Sequence, residues 1–398
     1  MKGTYSIYIQ GYDYGCGVTK AILSLDEIIE INKDDFTVTE TKQITDFSKI
    51  PEFPVITATL PRTITDAYYS DEFGNKQDEP SKNVTIEMYV SPSEGSPFLF
   101  SMKTMYNSWS NPYYLTITNK EYTLEIAQEY TKKYTSVDNF DYKVFKSSQG
   151  IEYKYATYSA KEETNNCIIW LHGLGEGGTD PTDAMVPLLG NKAAALASDQ
   201  FQSIAGPMHV LSVQCPTFWM DNTGKGENLM GGQIKVDGTS YYTESLMELI
   251  RSYKKEINAD KTVLVGCSNG GFMTMLLALN FPSEFDCYIP ICEAYTDNLI
   301  SDDQIKILKE LPMYFYWSDD DPVVKPEIHE IPTVKRLKEA GAKNIQTSKS
   351  PFVVGDNTLL DKDGNPYKYM GHWSWIYFFN NIGINGPEPW KWIKETIA

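Results

Sequence analysis

The stretch Thr262-Val-Leu-Val-Gly-Cys-Ser-Asn-Gly-Gly271 constrains the fold more than any other part of this chain. Thr262 to Val265 is a short β-branched apolar run, the pattern of a buried strand. From Gly271 to Leu279 the chain is apolar at helical spacing and nearly all round, which predicts a buried helix. Between them, Gly266-Cys-Ser-Asn-Gly270 fits the pattern G-x-S-x-G. A glycine on either side lets the backbone double back sharply. Such a turn holds Ser268 in a strained conformation and lifts its hydroxyl above the sheet edge. Strand, serine turn and helix together make Ser268 a candidate nucleophile.

The flanking segments repeat the alternation. Short buried strands are predicted at Cys167–Leu171, His209–Val213, Cys287–Ile291 and Met313–Trp317, after an opening hairpin over Tyr142–Ser159. Helices are predicted over Ala184–Leu196, Thr243–Ile257 and Ile328–Ala340. Strand alternating with helix implies a mainly parallel sheet covered on both faces, with its site at the carboxyl ends of the strands. The expected class is α/β, and the serine turn makes it an α/β-hydrolase over residues 141–398. Residues 1–119 read differently. Val84-Thr-Ile-Glu-Met-Tyr-Val90 alternates cleanly, and Val18–Leu25, Phe36–Glu40 and Tyr113–Thr118 are further strand candidates between turn-rich pieces. A small all-β sandwich is expected there. Residues 120–140 read as a charged, partly helical connector.

A serine hydroxyl attacks only when a base takes its proton. The chain has four histidines, and in this fold the base follows the nucleophile, leaving His329 and His372. His329 sits among charged residues at a helix start and reads as solvated. His372, in Gly371-His-Trp-Ser-Trp375 before a final aromatic helix, is the expected base. The acid should follow the strand Met313–Trp317. In Ser318-Asp-Asp-Asp-Pro-Val-Val324 the favoured acid is Asp321, with Asp320 in reserve. Two backbone N–H donors must meet the oxyanion. One is Asn269; the other comes from Trp170-Leu-His-Gly-Leu-Gly-Glu-Gly-Gly178, from Leu174 with Gly173 beside it. Glu176 reads as a brace of that loop. Phe218 and Trp219, at the head of an insertion reaching to residue 240, are candidates to line the substrate pocket, with ordinary packing as the other reading. Asp361-Lys-Asp-Gly-Asn365 reads as a hairpin turn in preference to a calcium loop.

Composition narrows the partners. A net charge of −18 argues against nucleic acid and anionic membrane surfaces, which both call for a basic patch. Arg62, Arg251 and Arg336 are the only arginines, so a clamp for anionic substrates is not expected and a neutral substrate is. The six cysteines are scattered, most of them in apolar runs, and read as reduced core residues, neither a metal site nor a disulfide framework. No cofactor or metal is called for. No apolar run is long enough to span a membrane, and the first residues lack the apolar core of a signal peptide. The expected location is cytoplasmic, or secreted if a leader has been removed.

Taken together these motifs resemble the bacterial EstA-type esterases, in which an immunoglobulin-like domain precedes an α/β-hydrolase domain. The matching pieces are Leu171-His-Gly-Leu-Gly-Glu-Gly-Gly-Thr-Asp180, Val213-Gln-Cys-Pro216, Gly266-Cys-Ser-Asn-Gly-Gly271, Phe281-Pro-Ser-Glu-Phe285 and Pro290-Ile-Cys292. Asp320-Asp-Pro-Val-Val324 and Gly371-His-Trp-Ser-Trp375 complete that half. Ile64–Asn75 and Asn107–Tyr114 look like the immunoglobulin-like domain. The resemblance implies hydrolysis of short-chain or aryl carboxylic esters through Ser268, Asp321 and His372. Trp373 is a further pocket candidate, and the first domain is expected to pack on the catalytic domain, shaping the site entrance or mediating homo-oligomer contacts. Cell-wall feruloyl or acetyl esters, or peptides, are the alternative substrates of the same triad, and a non-catalytic carbohydrate-binding protein is the rival of another class. Cys267 and Asn269 in the serine turn, and the insertion after Cys215-Pro216, depart from the family pattern.

Overall fold

The computed structural model describes residues 1–227, 229–230, 233–234, 236–356 and 358–398. The chain divides into two compact units, Met1–Asn139 and Phe140–Ala398.

The first unit is all-β. Lys2–Tyr12 pairs antiparallel with Gly15–Leu25, which pairs with Asn83–Met88 and that in turn with Ile64–Tyr69. A second sheet runs Val55–Arg62, Phe36–Thr45, Tyr113–Asn119. Alternation buries one face of each: Tyr5, Ile7, Ile9, Val84 and Ile86 on the first, Val38, Leu115 and Ile117 on the second. The Tyr5 hydroxyl accepts the Leu115 N–H at 2.8 Å and so ties one sheet to the other. Residues 120–140 are not a partly helical connector. Glu125–Ile126 and Lys133–Thr135 add to Lys2–Tyr12 as short parallel strands, and the unit closes at Asn139. Tyrosine and threonine are frequent in that stretch and favour pleated backbone over helix, and the open edge of Lys2–Tyr12 supplies the partner.

The first unit buries charge as well as apolar surface. The Glu40 carboxylate, almost wholly enclosed, accepts from Arg62 Nη1 at 3.1 Å and is paired with Lys42 Nζ at 2.8 Å. Arg62 Nη2 donates to the carbonyls of Val18 and Tyr89, and its Nε is paired with Glu94 at 3.6 Å.

The second unit is built on an eight-stranded sheet: β1 (Asp141–Lys146), β2 (Glu152–Tyr158), β3 (Cys167–Leu171), β4 (His209–Gln214), β5 (Thr262–Cys267), β6 (Cys287–Ile291), β7 (Met313–Ser318) and β8 (Ile345–Ser350). Its spatial order is β1-β2-β4-β3-β5-β6-β7-β8. β1 and β2 form the antiparallel hairpin, β2 meets β4 antiparallel, and every pair from β4 to β8 is parallel. The helices are α1 (Val186–Gly190), α2 (Asp199–Ala205), α3 (Thr243–Glu256), α4 (Asn269–Asn280), α5 (Asp302–Leu308), α6 (Glu330–Glu339), α7 (Trp375–Phe379) and α8 (Pro389–Ile397). β3, β5, β6 and β7 are buried from end to end, and α4 is buried through its first eleven residues. The helix expected over Ala184–Leu196 is interrupted. Lys192 takes a left-handed φ of 62° between α1 and a 3₁₀ turn over Ala193–Ala197. All six cysteines are buried and free. Among the described residues no helix is long and apolar enough to cross a membrane.

Because Glu40 neutralises two enclosed cations, Glu40→Gln should destabilise the first unit by about 3–5 kcal/mol, the usual result of stranding a buried charge. Lys335→Gln, which breaks the exposed pair with Glu339, should leave the unfolding midpoint unchanged. Urea unfolding of the two variants checks both outcomes.

Candidate active site

The carboxyl ends of β3, β5 and β7 lead into the segments of Gly173, Ser268 and Asp321, and His372 comes from the stretch after β8. β5 runs into a turn at Ser268, whose φ of 53° and ψ of −112° lie outside the ordinary regions for a side-chain-bearing residue. The strain is held by its surroundings. The Ser268 N–H donates to the Ile291 carbonyl at 2.8 Å, and the Phe272 N–H begins the α4 ladder on the Ser268 carbonyl. Glycine is required on both sides, because a methyl group at position 266 would collide with the Gly270 carbonyl and one at 270 with the Leu171 carbonyl. The same turn puts Cys267 wholly inside, where burial pushes its thiol well above the ordinary range and leaves it inert.

His372 arrives on a 3₁₀ turn, Gly371–Trp373. Its Nδ1 lies 2.8 Å from Asp321 Oδ2 and its Nε2 2.9 Å from Ser268 Oγ. A carboxylate only accepts, so Nδ1 carries the hydrogen and Nε2 is left to accept the serine hydroxyl. Asp321 stands in the loop after β7, and its other oxygen accepts the Val323 and Val324 N–H groups at 2.8 and 2.9 Å. Its direction is therefore set by backbone on one side and imidazole on the other. Only 6% of Asp321 and 7% of His372 is exposed, which strengthens each bond by excluding water. The rival aspartates have other partners: Asp320 takes the Ser318 hydroxyl and pairs with Lys368 at 3.3 Å, and Asp319 pairs with Lys349. Gly371 has no side chain because the Asp320 carboxyl and backbone fill that space. His329 bonds the Lys325 carbonyl. Asp361 closes a turn by accepting the Asp363 and Asn365 amides.

The loop after β3 comes against the turn. A side chain at Gly173 would stand 3.9 Å from Ser268 Cβ and 3.6 Å from Cys267 Sγ. Leu174 opens a 3₁₀ turn directly after Gly173, and Asn269 is the first residue of α4. The leading amides of such turns have no partner within their own element and point toward a negative charge at its start. Gly173, Leu174 and Asn269 are thus brought together around the serine.

Two of the three pocket candidates are corrected. Phe218 and Trp219 are completely buried, so neither side chain lines an open pocket. Trp219 instead packs against His172 at 5.3 Å and Tyr242 at 6.4 Å. Apolar rings under a tight glycine loop gain more from packing than from water. Residues 228, 231, 232 and 235 of the insertion lie outside the described residues. Trp373 is half-buried next to His372 in the chain, stacked between Tyr369 at 5.7 Å and Trp375 at 6.1 Å.

His172 was set aside on chain order, yet it is built into the site. It is fully buried, donates from Nδ1 to the Gly173 carbonyl at 2.5 Å and accepts the Cys215 N–H at Nε2 at 2.9 Å. Burial lowers its pKa from the ordinary 6.5 to about 4, so the ring is neutral near pH 7. Its place immediately before the Gly-Leu-Gly run was the available signal. Among the described residues no cluster of His, Cys, Asp or Glu has the makings of a metal site.

Comparison with known proteins places these features in context. The profile of the esterase Ig-like N-terminal domain matches residues 4–131, and that described as Phospholipase/Carboxylesterase matches residues 153–351. Among solved structures, a thermostable esterase is similar over 98% of this chain and 98% of its own, with a TM-score of 0.71 at 21% identity, a likeness of fold. A ferulic acid esterase is 13% identical over 53% of this chain and 89% of its own, with a TM-score of 0.40. The siderophore hydrolase EstB from Aspergillus nidulans is 14% identical over 54% and 87%, with a TM-score of 0.36. At that level the last two carry no functional weight. Among curated proteins none matches the sequence.

The neutral state of His172 has a consequence for stability. In the unfolded chain the ring takes a proton below pH 6.5; in the fold it does so only near pH 4. Its contribution is therefore whole above pH 6.5 and is lost as pH falls toward 4, to a total of about 3 kcal/mol at 1.36 kcal/mol per pKa unit. Between pH 7 and pH 4.5 the His172→Gln variant should lose less stability than the wild type. Urea midpoints measured across that interval test it, and parallel curves would refute it.

Proposed function

Because the chain belongs to the phospholipase/carboxylesterase family, a family of carboxylic ester hydrolases, we propose that it is a serine carboxylesterase acting on short-chain or aryl esters through Ser268, His372 and Asp321. The observation that carries this reading is the unbroken chain of two bonds, Ser268 Oγ to His372 Nε2 to Asp321.

The geometry supports a mechanism in two half-reactions. His372 Nε2 removes the Ser268 proton as Oγ attacks the ester carbonyl, and Asp321 holds the ring in the productive tautomer and steadies the imidazolium. Charge then gathers on the former carbonyl oxygen, where the Asn269 and Leu174 N–H groups receive it. The imidazolium protonates the leaving alcohol oxygen and the acyl group stays on Ser268. Water, deprotonated by the same ring, attacks the acyl-enzyme and releases the acid. No step asks for a metal.

The arginines favour a neutral substrate. Arg62 is enclosed in the first unit, Arg251 is held by Glu284, and Arg336 by Asp297 and Asp302. None is left to clamp an anion. The half-buried Trp373 beside His372 offers an apolar face suited to a short acyl or an aryl group.

Ser268→Ala should reduce kcat on p-nitrophenyl acetate and butyrate by at least about 10³-fold, and Asp321→Asn by about 10³- to 10⁴-fold through loss of the tautomer. Asp320→Asn should stay within a few-fold of wild type. If Asp320→Asn were the damaging change and Asp321→Asn the harmless one, the assignment of the acid would be wrong.

A further inference from the structure

We infer that the Asn269 carboxamide is a positioning residue for the oxyanion hole, an inference that rests on the esterase reading above. The Asn269 side chain is buried, and its oxygen meets the Trp219 N–H at 2.5 Å. A backbone amide only donates, so the atom facing it must be Oδ1. That leaves Nδ2 enclosed without an acceptor. An apolar side chain would fill the same space without a stranded Nδ2 but would leave the Trp219 N–H without this acceptor, so the bond, not the packing, accounts for an asparagine here.

What the bond joins does account for it. The segment Gln214–Trp219, running on from β4, braces the facing loop at several points. The Cys215 N–H donates to His172 Nε2 at 2.9 Å, and the Cys215 carbonyl accepts the Gly178 N–H at 2.9 Å. Gln214 Nε2 donates to the Glu176 carbonyl at 3.1 Å, and the Thr217 carbonyl fills the space a side chain at Gly177 would need. The Trp219 ring lies on His172. His172 in turn holds the Gly173 carbonyl at 2.5 Å. Across a trans peptide the N–H points opposite to the C=O, so this bond turns the Leu174 N–H away from His172.

One short segment therefore governs both donors. It reaches the Leu174 N–H through His172, and it reaches the first turn of α4, where the Asn269 N–H lies, through the Asn269 carboxamide. The side chain closes a bracket around the site where the oxyanion forms. Oxyanion stabilisation depends on donors held within about half an ångström of their productive positions. Without the carboxamide, Gly270 still packs against Leu171 and the fold stands, but the separation of the two donors is no longer fixed.

The test uses the full chain, with active sites titrated by an organophosphonate. Per titrated site, Asn269→Leu should lose about 10- to 100-fold in kcat on p-nitrophenyl acetate while KM stays within about threefold of wild type. Affinity for phenylboronic acid, which becomes tetrahedral on the serine, should fall by a similar factor. Asn269→Ser is at ease in the first turn of a helix and loses the same bond, so it carries the test should the leucine variant fail to fold. Wild-type kcat in the folded variant would overturn the inference. So would a rise in KM with kcat and boronate affinity unchanged, the signature of a substrate-pocket residue. A wild-type enzyme that neither takes up the phosphonate nor turns over the ester would remove the esterase reading, and this inference with it.

Discussion

Between the α-carbon of Gly270 and the carbonyl oxygen of Leu171 there is no room for a side chain. This close approach of the end of β3 to the first turn of α4 is the contact on which the site's geometry depends. It brings the loop carrying Gly173 and Leu174 beside the turn carrying Ser268. It also sets the start of α4 at the sheet's carboxyl edge, where the leading amides of the helix have no partner within it. The glycine that follows repeats the device toward β6, since a side chain at Gly271 would meet the Glu293 backbone and Cβ. Three strand ends and one helix start are locked together by the absence of two methyl groups. The strained Ser268 backbone persists because everything around it is over-determined.

Much of this was legible in the sequence. The serine turn, and the histidine and aspartate that the fold brings to it, could be read because each carries a local signature: two glycines around a serine, a histidine before a late aromatic helix, an aspartate before Pro-Val-Val. Parallel strands buried on both faces announced themselves as short apolar runs. Other elements were hidden for physical reasons. Lys2–Tyr12 alternates Tyr5, Ile7 and Ile9 inward, but its outward tyrosines and serine dilute the pattern. β8, Ile-Gln-Thr-Ser-Lys-Ser, lies at the sheet edge and needs no apolar run. The pairing of residues 120–140 with Lys2–Tyr12 depends on an open edge more than a hundred residues away in sequence. The burial of Trp219 depends likewise on His172, which only the fold brings to it.

The buried polar residues show why side-chain roles are harder to read than elements. His172 looked like a bystander because chain order excluded it as a base. Its function is to carry two backbone bonds across the loop, and such work leaves no mark in residue spacing. Asn269 was anticipated for its backbone N–H alone. That its side chain reaches Trp219, fifty residues earlier in the chain, follows from the meeting of β4 and β5 on either side of β3. Topology, not local pattern, makes these pairs.

The same topology encloses two carboxyls behind the serine turn, Glu293 after β6 and Glu330 at the start of α6. Both are fully buried, and Glu293 Oε1 and both oxygens of Glu330 lack partners. Burial holds both carboxyls well above the usual range; the nearness of Glu330 adds to this at Glu293, and that of Asp321 at Glu330. A neutral carboxyl is far cheaper to enclose than a carboxylate. The direction of both shifts therefore has a functional side. Were Glu330 ionised, a second negative charge would stand near Asp321. With burial favouring the neutral form of Glu330, Asp321 is the carboxylate that the His372 ring meets, at 2.8 Å. In a chain of net charge −18, holding negative charge away from the base is as much a condition of the proposed chemistry as placing Asp321 beside it.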